Sequence, residues 1–136
     1  MDYKALIQAA FSARLNAYAP YSSFQVGAAL LGKNGKVYLG CNVENAAFAP
    51  TNCAERTAVF SAVCDGEQEF IAIAIVGGKE QTKNFADCFP CGVCRQVLQE
   101  FCHPDFSIIV AKSDDDYQIY SLAELLPHGF GKTDLH

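Results

Sequence analysis

Cys53, Glu55, Cys91 and Cys94 of this 136-residue chain have the types and spacing for metal-assisted hydrolysis. Cys91 and Cys94 lie three apart, so on a helix they share one face and can grip one ion. Thiolates on a borderline-soft ion point to zinc. With Cys53 as the third ligand, one tetrahedral corner stays open, which marks a catalytic rather than a structural zinc. Glu55 follows two residues after Cys53 and is a candidate general acid/base for a zinc-activated water. The chain carries seven cysteines in all. Its start, Met1-Asp2-Tyr3-Lys4, offers neither a basic segment with an apolar core nor a small-residue cleavage site. The expectation is therefore a cytoplasmic, reducing setting, where clustered cysteines mean metal or catalysis more often than disulfides.

Two alternatives stand beside the open site. Adding Cys88 to the trio gives a closed four-cysteine zinc site that would hold the fold together and catalyse nothing. Against it, Cys88 precedes Phe89-Pro90, where the backbone is extended, so its side chain should leave the face shared by Cys91 and Cys94. The other alternative is a set of buried apolar cysteines with no metal. Cys41, Cys64, Cys88 and Cys102 read as packing residues.

The elements that must position these side chains follow from periodicity. Tyr3 to Tyr18 carries Leu6, Ile7, Ala10, Phe11 and Leu15 at helical spacing, and Pro20 lies beyond its end. Phe24 to Leu31 reads as a buried strand, and Lys33-Asn34-Gly35-Lys36 as the hairpin turn into a second strand, Val37 to Cys41. A loop over Asn42 to Asn52 leads to a helix from Cys53 to about Val63. Phe70 to Val76 is a strand, and Pro90 opens a helix that runs to about Phe101. Phe106 to Ala111 and Tyr117 to Tyr120 are strands around the polar turn Asp114-Asp115-Asp116, and Leu122 to Leu126 is a short helix. The order αββαβαββα predicts one sheet with helices on both faces. Cys53 then opens one helix and Cys91 and Cys94 the next, so helix N-termini, which stabilise thiolates, can converge on one ion.

Composition bounds the rest. The length suits one domain over residues 1–136, and 51% hydrophobic with 18% charged residues excludes wholesale disorder. No apolar run approaches the ~18–20 residues of a membrane span. Ten Lys plus Arg against fifteen Asp plus Glu give a net charge of −5, which repels a long polyanion and argues against nucleic acid as a partner.

With these residues in place, the sequence resembles the cytidine deaminase family, in its small homotetrameric class. Cys53-Ala54-Glu55 and Pro90-Cys91-Gly92-Val93-Cys94 match the two zinc motifs of that family. The likeness extends over Tyr18 to Ala29, Gly40 to Ala46, Cys53 to Ala58, Cys94 to Val97 and Glu124 to Phe130, nearly the whole chain in order. The resemblance implies a three-layer α/β/α fold with a mixed five-stranded sheet. It also implies one zinc per chain on Cys53, Cys91 and Cys94, with Glu55 moving protons between water, N3 and the departing amine. By the same resemblance Phe24 would stack on the pyrimidine and Asn42 and Glu44 would bind ribose hydroxyls. Backbone N–H groups of Cys53 and Ala54 would meet the base or the reacting centre. Three thiolates on zinc leave one net negative charge, and Arg56 is expected to offset it by donating to sulfur, its alternative being an exposed helix arginine.

Phe48 and Phe130 fall where relatives place aromatics that reach a neighbouring subunit's site, core packing being the alternative. Position 48 is commonly tyrosine in the family, and position 89 is often a small polar residue rather than Phe89. Arg95 reads as a surface or interface ion pair. The function implied is hydrolytic deamination of cytidine and 2′-deoxycytidine in pyrimidine salvage. A deaminase of another aminopyrimidine nucleoside, as in the related blasticidin-S deaminases, is a second reading; polynucleotide editing and a structural zinc module are the others. Phe24 and the segment Asn42-Val43-Glu44-Asn45 favour cytidine, through a stacking ring and ribose contacts.

Overall fold

The computed structural model describes residues 2–135. Along the chain run α1 (Tyr3–Arg14), β1 (Phe24–Gly32), β2 (Val37–Cys41), α2 (Ala54–Cys64), β3 (Phe70–Lys79), α3 (Gly92–Phe101), β4 (Ser107–Ser113), β5 (Asp116–Ser121) and α4 (Leu122–Leu125), with a 3₁₀ turn over Lys132–Leu135. The strands form a mixed sheet in the order β2-β1-β3-β4-β5. Only β3 and β4 run parallel; the other neighbours are antiparallel. The fold is the expected three-layer arrangement.

Each sheet face has its own core, because side chains alternate along a strand. Leu6, Ile7 and Ala10 of α1 pack on Ala29, Ala74, Val76 and Ile109. On the opposite face, Ala54, Ala58 and Val59 of α2 and Leu98 of α3 pack on Leu30, Ile73, Ile75 and Ile108. α2 and α3 therefore lie on one face, the geometry that lets their N-termini meet. Glycine sets how closely the helices approach. A Cβ at Gly40 would lie 2.1 Å from the Ala54 carbonyl oxygen, and one at Gly27 would lie 2.0 Å from that of Ala10. Only hydrogen side chains let α2 and α1 settle this low on β2 and β1.

Several element ends differ from the sequence expectation. α1 stops at Arg14 rather than Tyr18, because Leu15, Asn16 and Ala17 close tight turns through bonds to Ser12, Ala13 and Arg14 carbonyls. Tyr18 instead bridges Val43, its N–H donating to Asn42 O at 2.9 Å. Leu15 thereby leaves the apolar face and is exposed. β3 continues to Lys79 because its last residues pair with the start of β1, Phe24 opposite Lys79 and Gln25 opposite Gly78. α3 begins at Gly92, two residues after Pro90, since Cys91 takes extended backbone as its N-cap. Cys53 is likewise the extended N-cap of α2 rather than its first helical residue.

The glycines give a graded test. Gly27→Ala should destabilise the protein by about 3 kcal/mol, since two backbone segments would have to part. Gly35→Ala, at the positive φ of the β1–β2 turn with open space around it, should cost about 1 kcal/mol. Gly92→Ala, where nothing lies within 4 Å, should be neutral or slightly stabilising. Urea unfolding checks the order, and equal losses at Gly27 and Gly92 would contradict this packing.

Candidate metal centre and active site

The N-termini of α2 and α3 bring Cys53, Cys91 and Cys94 together, with all three sulfurs within 4.8 Å of one another. Cys53 Sγ lies 3.8 Å from Cys91 Sγ, which lies 3.4 Å from Cys94 Sγ. Sulfurs bound to one tetrahedral zinc at ~2.3 Å stand about 3.8 Å apart, so the trio fits the ion. Cys88 is outside this group. Its Sγ points at Gly77, where a Cβ would lie 2.7 Å from it and 3.0 Å from Phe24 Cε1. Among the described residues the ligand cluster holds Cys53, Cys91 and Cys94 without Cys88, so the closed four-cysteine site is not built.

Helix ends and one guanidinium support the negative charge. Cys91 Sγ accepts the Cys94 N–H at 3.5 Å, as an N-cap side chain does. Arg56, in the first turn of α2, donates from Nη2 to Cys53 Sγ at 3.2 Å, and its Nε is buried without a partner among the described residues. The guanidinium faces the metal centre rather than solvent. Without metal, Cys53 is held down to about 5 by the Cys94 thiol donating to it and by Arg56, while Cys94, donor to Cys53 and buried, is pushed up. Burial pushes Cys88 and Cys102 up to about 12.

Glu55 is 4% exposed on the first turn of α2. Burial, with the nearby Cys53 thiolate adding to it, raises its carboxyl to about 7. At neutral pH both protonation states are populated, which suits a group that takes up and returns a proton.

The remaining predicted site residues lie on β1, on the loop after β2, at the start of α2 and near the chain end. Phe24 opens β1 with its ring partly exposed. Asn42 is buried and splints β1: its Oδ1 accepts from Val26 N–H at 2.9 Å and its Nδ2 donates to Phe24 O at 2.8 Å. Glu44 Oε1 accepts the Tyr21 and Ser22 N–H groups at 3.0 and 3.1 Å, and Oε2 accepts the Ser22 hydroxyl, which lowers its pKa. Tyr21, Ser22, Glu44, Phe48 and Thr51 line an open hollow of about 400 Å³. Ala54 is the buried first residue of α2, where backbone N–H groups have no intrahelical acceptor. Phe48 and Phe130 are 70% and 58% exposed, so core packing within this chain is excluded for both.

Some supporting residues were not legible. Among the described residues of this chain Arg95 forms no ion pair; it donates from Nε to Pro90 O at 2.7 Å and from Nη1 to Leu125 O at 2.6 Å. Thr57 Oγ1 lies 3.1 Å from both Cys53 O and Cys41 O, joining the metal-ligand cap to the end of β2. Its place four residues after Cys53, where a threonine hydroxyl reaches back to the preceding turn, was the signal available.

A metal centre of three sulfurs with a buried carboxylate, set at helix N-termini on a mixed sheet, defines a zinc-binding α/β protein of the deaminase class. Residues 1–110 match the family model described as the cytidine and deoxycytidylate deaminase zinc-binding region. The chain is 47% identical over 135 residues to a cytidine deaminase of Sporosarcina psychrophila, covering 99% of this chain and 96% of that protein. It is 45% identical over 136 residues to one from Halalkalibacterium halodurans, covering 100% and 99%. The crystal structure of cytidine deaminase from Burkholderia pseudomallei superposes with a TM-score of 0.85 at 48% identity, over 96% of this chain and 100% of that one. That from Mycobacterium tuberculosis gives 0.82 at 37%, over 96% and 98%. This chain belongs to the cytidine deaminase family, and zinc is the metal its three cysteines fit.

Thiol chemistry checks the electrostatics. With metal chelated at about pH 6.5, iodoacetamide should label Cys53 more than about tenfold faster than Cys88 or Cys102, and Arg56→Gln should slow Cys53. Peptide mass spectrometry reads the rates. Labelling of Cys53 as slow as Cys102 would contradict a stabilised thiolate.

Proposed function

We propose that this chain hydrolyses cytidine and 2′-deoxycytidine to uridine and 2′-deoxyuridine with release of ammonia, in the cytoplasm and in pyrimidine salvage. The observation that carries the reading is Glu55, a buried carboxyl poised near neutrality on the same helix turn as Cys53. The names of the full-length relatives support it. Zinc held by Cys53, Cys91 and Cys94 supplies Lewis acidity that makes water a nucleophile near neutral pH.

The chain's own residues do the rest. Glu55 takes the proton that the attacking water gives up and passes it to N3 as the C4–O bond forms; it then takes the proton of the resulting C4 hydroxyl, as C4=O forms, and hands it to the amine as the C4–N4 bond breaks. Water and cytidine thus become uridine and ammonia with protons balanced. Phe24 stacks on the flat base. Asn42, rigid because two of its amide contacts are spent on β1, offers its remaining donor and lone pair to ribose. Glu44 is held by three donors and keeps acceptor capacity for a sugar hydroxyl. N–H groups of Cys53 and Ala54, at the α2 N-terminus, face the base or reacting centre. Arg56 offsets the surplus negative charge of three thiolates.

A homotetramer with shared sites completes the proposal. Phe48 and Phe130 project from the surface, and Phe48 holds φ at 62°, a strained conformation for a bulky residue. In the proposed tetramer both cover a neighbour's pocket, which their exposure in the single chain supports. Net charge −5 disfavours a polynucleotide substrate.

Cytidine loss followed by ultraviolet absorbance, with zinc analysis, tests the reading. Wild type should produce uridine with about one zinc per chain, and Glu55→Gln should keep the zinc and lose about 10³-fold in rate. Wild type that holds zinc and makes no uridine sinks the proposal. Sedimentation should show a species of about four chains; an active monomer would contradict shared sites.

A further inference from the structure

Arg14 closes α1 and is 5% exposed. Its Nε donates to Gln25 O at 3.1 Å, and its Nη2 donates to Gly78 O and Lys79 O at 3.0 and 2.7 Å. No carboxylate among the described residues forms an ion pair with it. The Phe85 ring lies 4.8 Å from the guanidinium carbon and meets Phe11 edge-on at 4.9 Å between centroids, closing the cation off. A buried cation without a counter-charge is costly, and an apolar side chain of similar volume would fill the space at lower cost. What an apolar residue cannot do is hold three carbonyl oxygens.

Those carbonyls belong to the two strand ends that carry the stacking ring. Gln25 pairs with Gly78 and Phe24 with Lys79. Beside them, Gly77 faces both the Phe24 ring and Cys88. Phe85 lies in the segment joining β3 to Cys91. One guanidinium thus fastens the start of β1, the end of β3 and the connection that delivers two metal ligands. Gly27 makes this possible, since a Cβ there would sit 2.6 Å from Arg14 N and lift the helix end away.

We propose that Arg14 is a positioning residue that fixes the Phe24 ring relative to the α3 metal ligands, and so sets the affinity for the base. The proposal rests on the reading of Phe24 as the stacking ring. Steady-state kinetics on cytidine test it in the zinc-loaded protein, with Arg14→Gln, Arg14→Lys, Phe85→Leu, Phe24→Ala and the double variant Arg14→Gln/Phe24→Ala. Arg14→Gln should raise KM about tenfold with kcat lowered less than about threefold and zinc retained. Arg14→Lys, which keeps the charge but not the planar fork, should recover part of this. On the Phe24→Ala background, Arg14→Gln should add little further to KM, because the group it positions is gone. Phe85→Leu should give an intermediate rise and serves if Arg14→Gln does not fold. Independent, multiplying effects in the double variant would overturn the proposal. An unchanged KM in a folded Arg14→Gln, or in Phe85→Leu where Arg14→Gln does not fold, would do so too. If Phe24→Ala itself leaves KM unchanged, the stacking reading falls and the proposal with it; if it raises KM while Arg14→Gln does not, the proposal alone falls.

Discussion

Three cysteine sulfurs held within 4.8 Å of one another repel once all are thiolates, and the groups around them offset that charge. The N-termini of α2 and α3 supply partial positive charge, Arg56 supplies a full one, and zinc supplies the remainder. Both helices must therefore lie on one sheet face with their starts adjacent. Gly40 permits this by letting the first turn of α2 rest against the backbone of β2. The same approach buries Glu55, so the metal centre and the raised carboxyl share one cause.

Around this centre, side-chain-to-backbone bonds take the place of ion pairs. Asn42 ties the second strand's end to β1, Thr57 ties it to the α2 cap, Arg95 ties the α3 entrance to the end of α4, and Gln96 Nε2 donates to Phe130 O at 2.8 Å. Such bonds fix backbone geometry at distances that surface charge pairs do not, because they survive screening and involve little side-chain freedom. The two ion pairs formed among the described residues, Lys33 with Glu69 and Lys36 with Asp65, are exposed and lie away from the site. The site is thus built stiff before any nucleoside arrives.

Much of this was legible because the chemistry is local in sequence. Cys91 and Cys94 share a helix turn, Glu55 sits two residues from Cys53, and strand and helix periods marked every major element. What escaped depends on contacts between segments far apart in the chain. The end of α1 is decided by Tyr18 pairing with Val43, and the length of β3 by its register with Phe24. Asn42 looked like a sugar ligand by resemblance, but its amide also completes the β1 backbone, a demand no local pattern announces. Arg14 carries no local signal, since nothing near it in sequence shows three carbonyls converging on its guanidinium.

In the proposed metal centre three cysteines, and not four, hold the ion, leaving a position for water. Zinc K-edge X-ray absorption on the zinc-loaded protein measures this directly. The expected first shell holds about three sulfurs at ~2.3 Å and one lighter oxygen atom at ~2.0 Å. A shell of four sulfurs, drawing in Cys88 and closing the site, would contradict it.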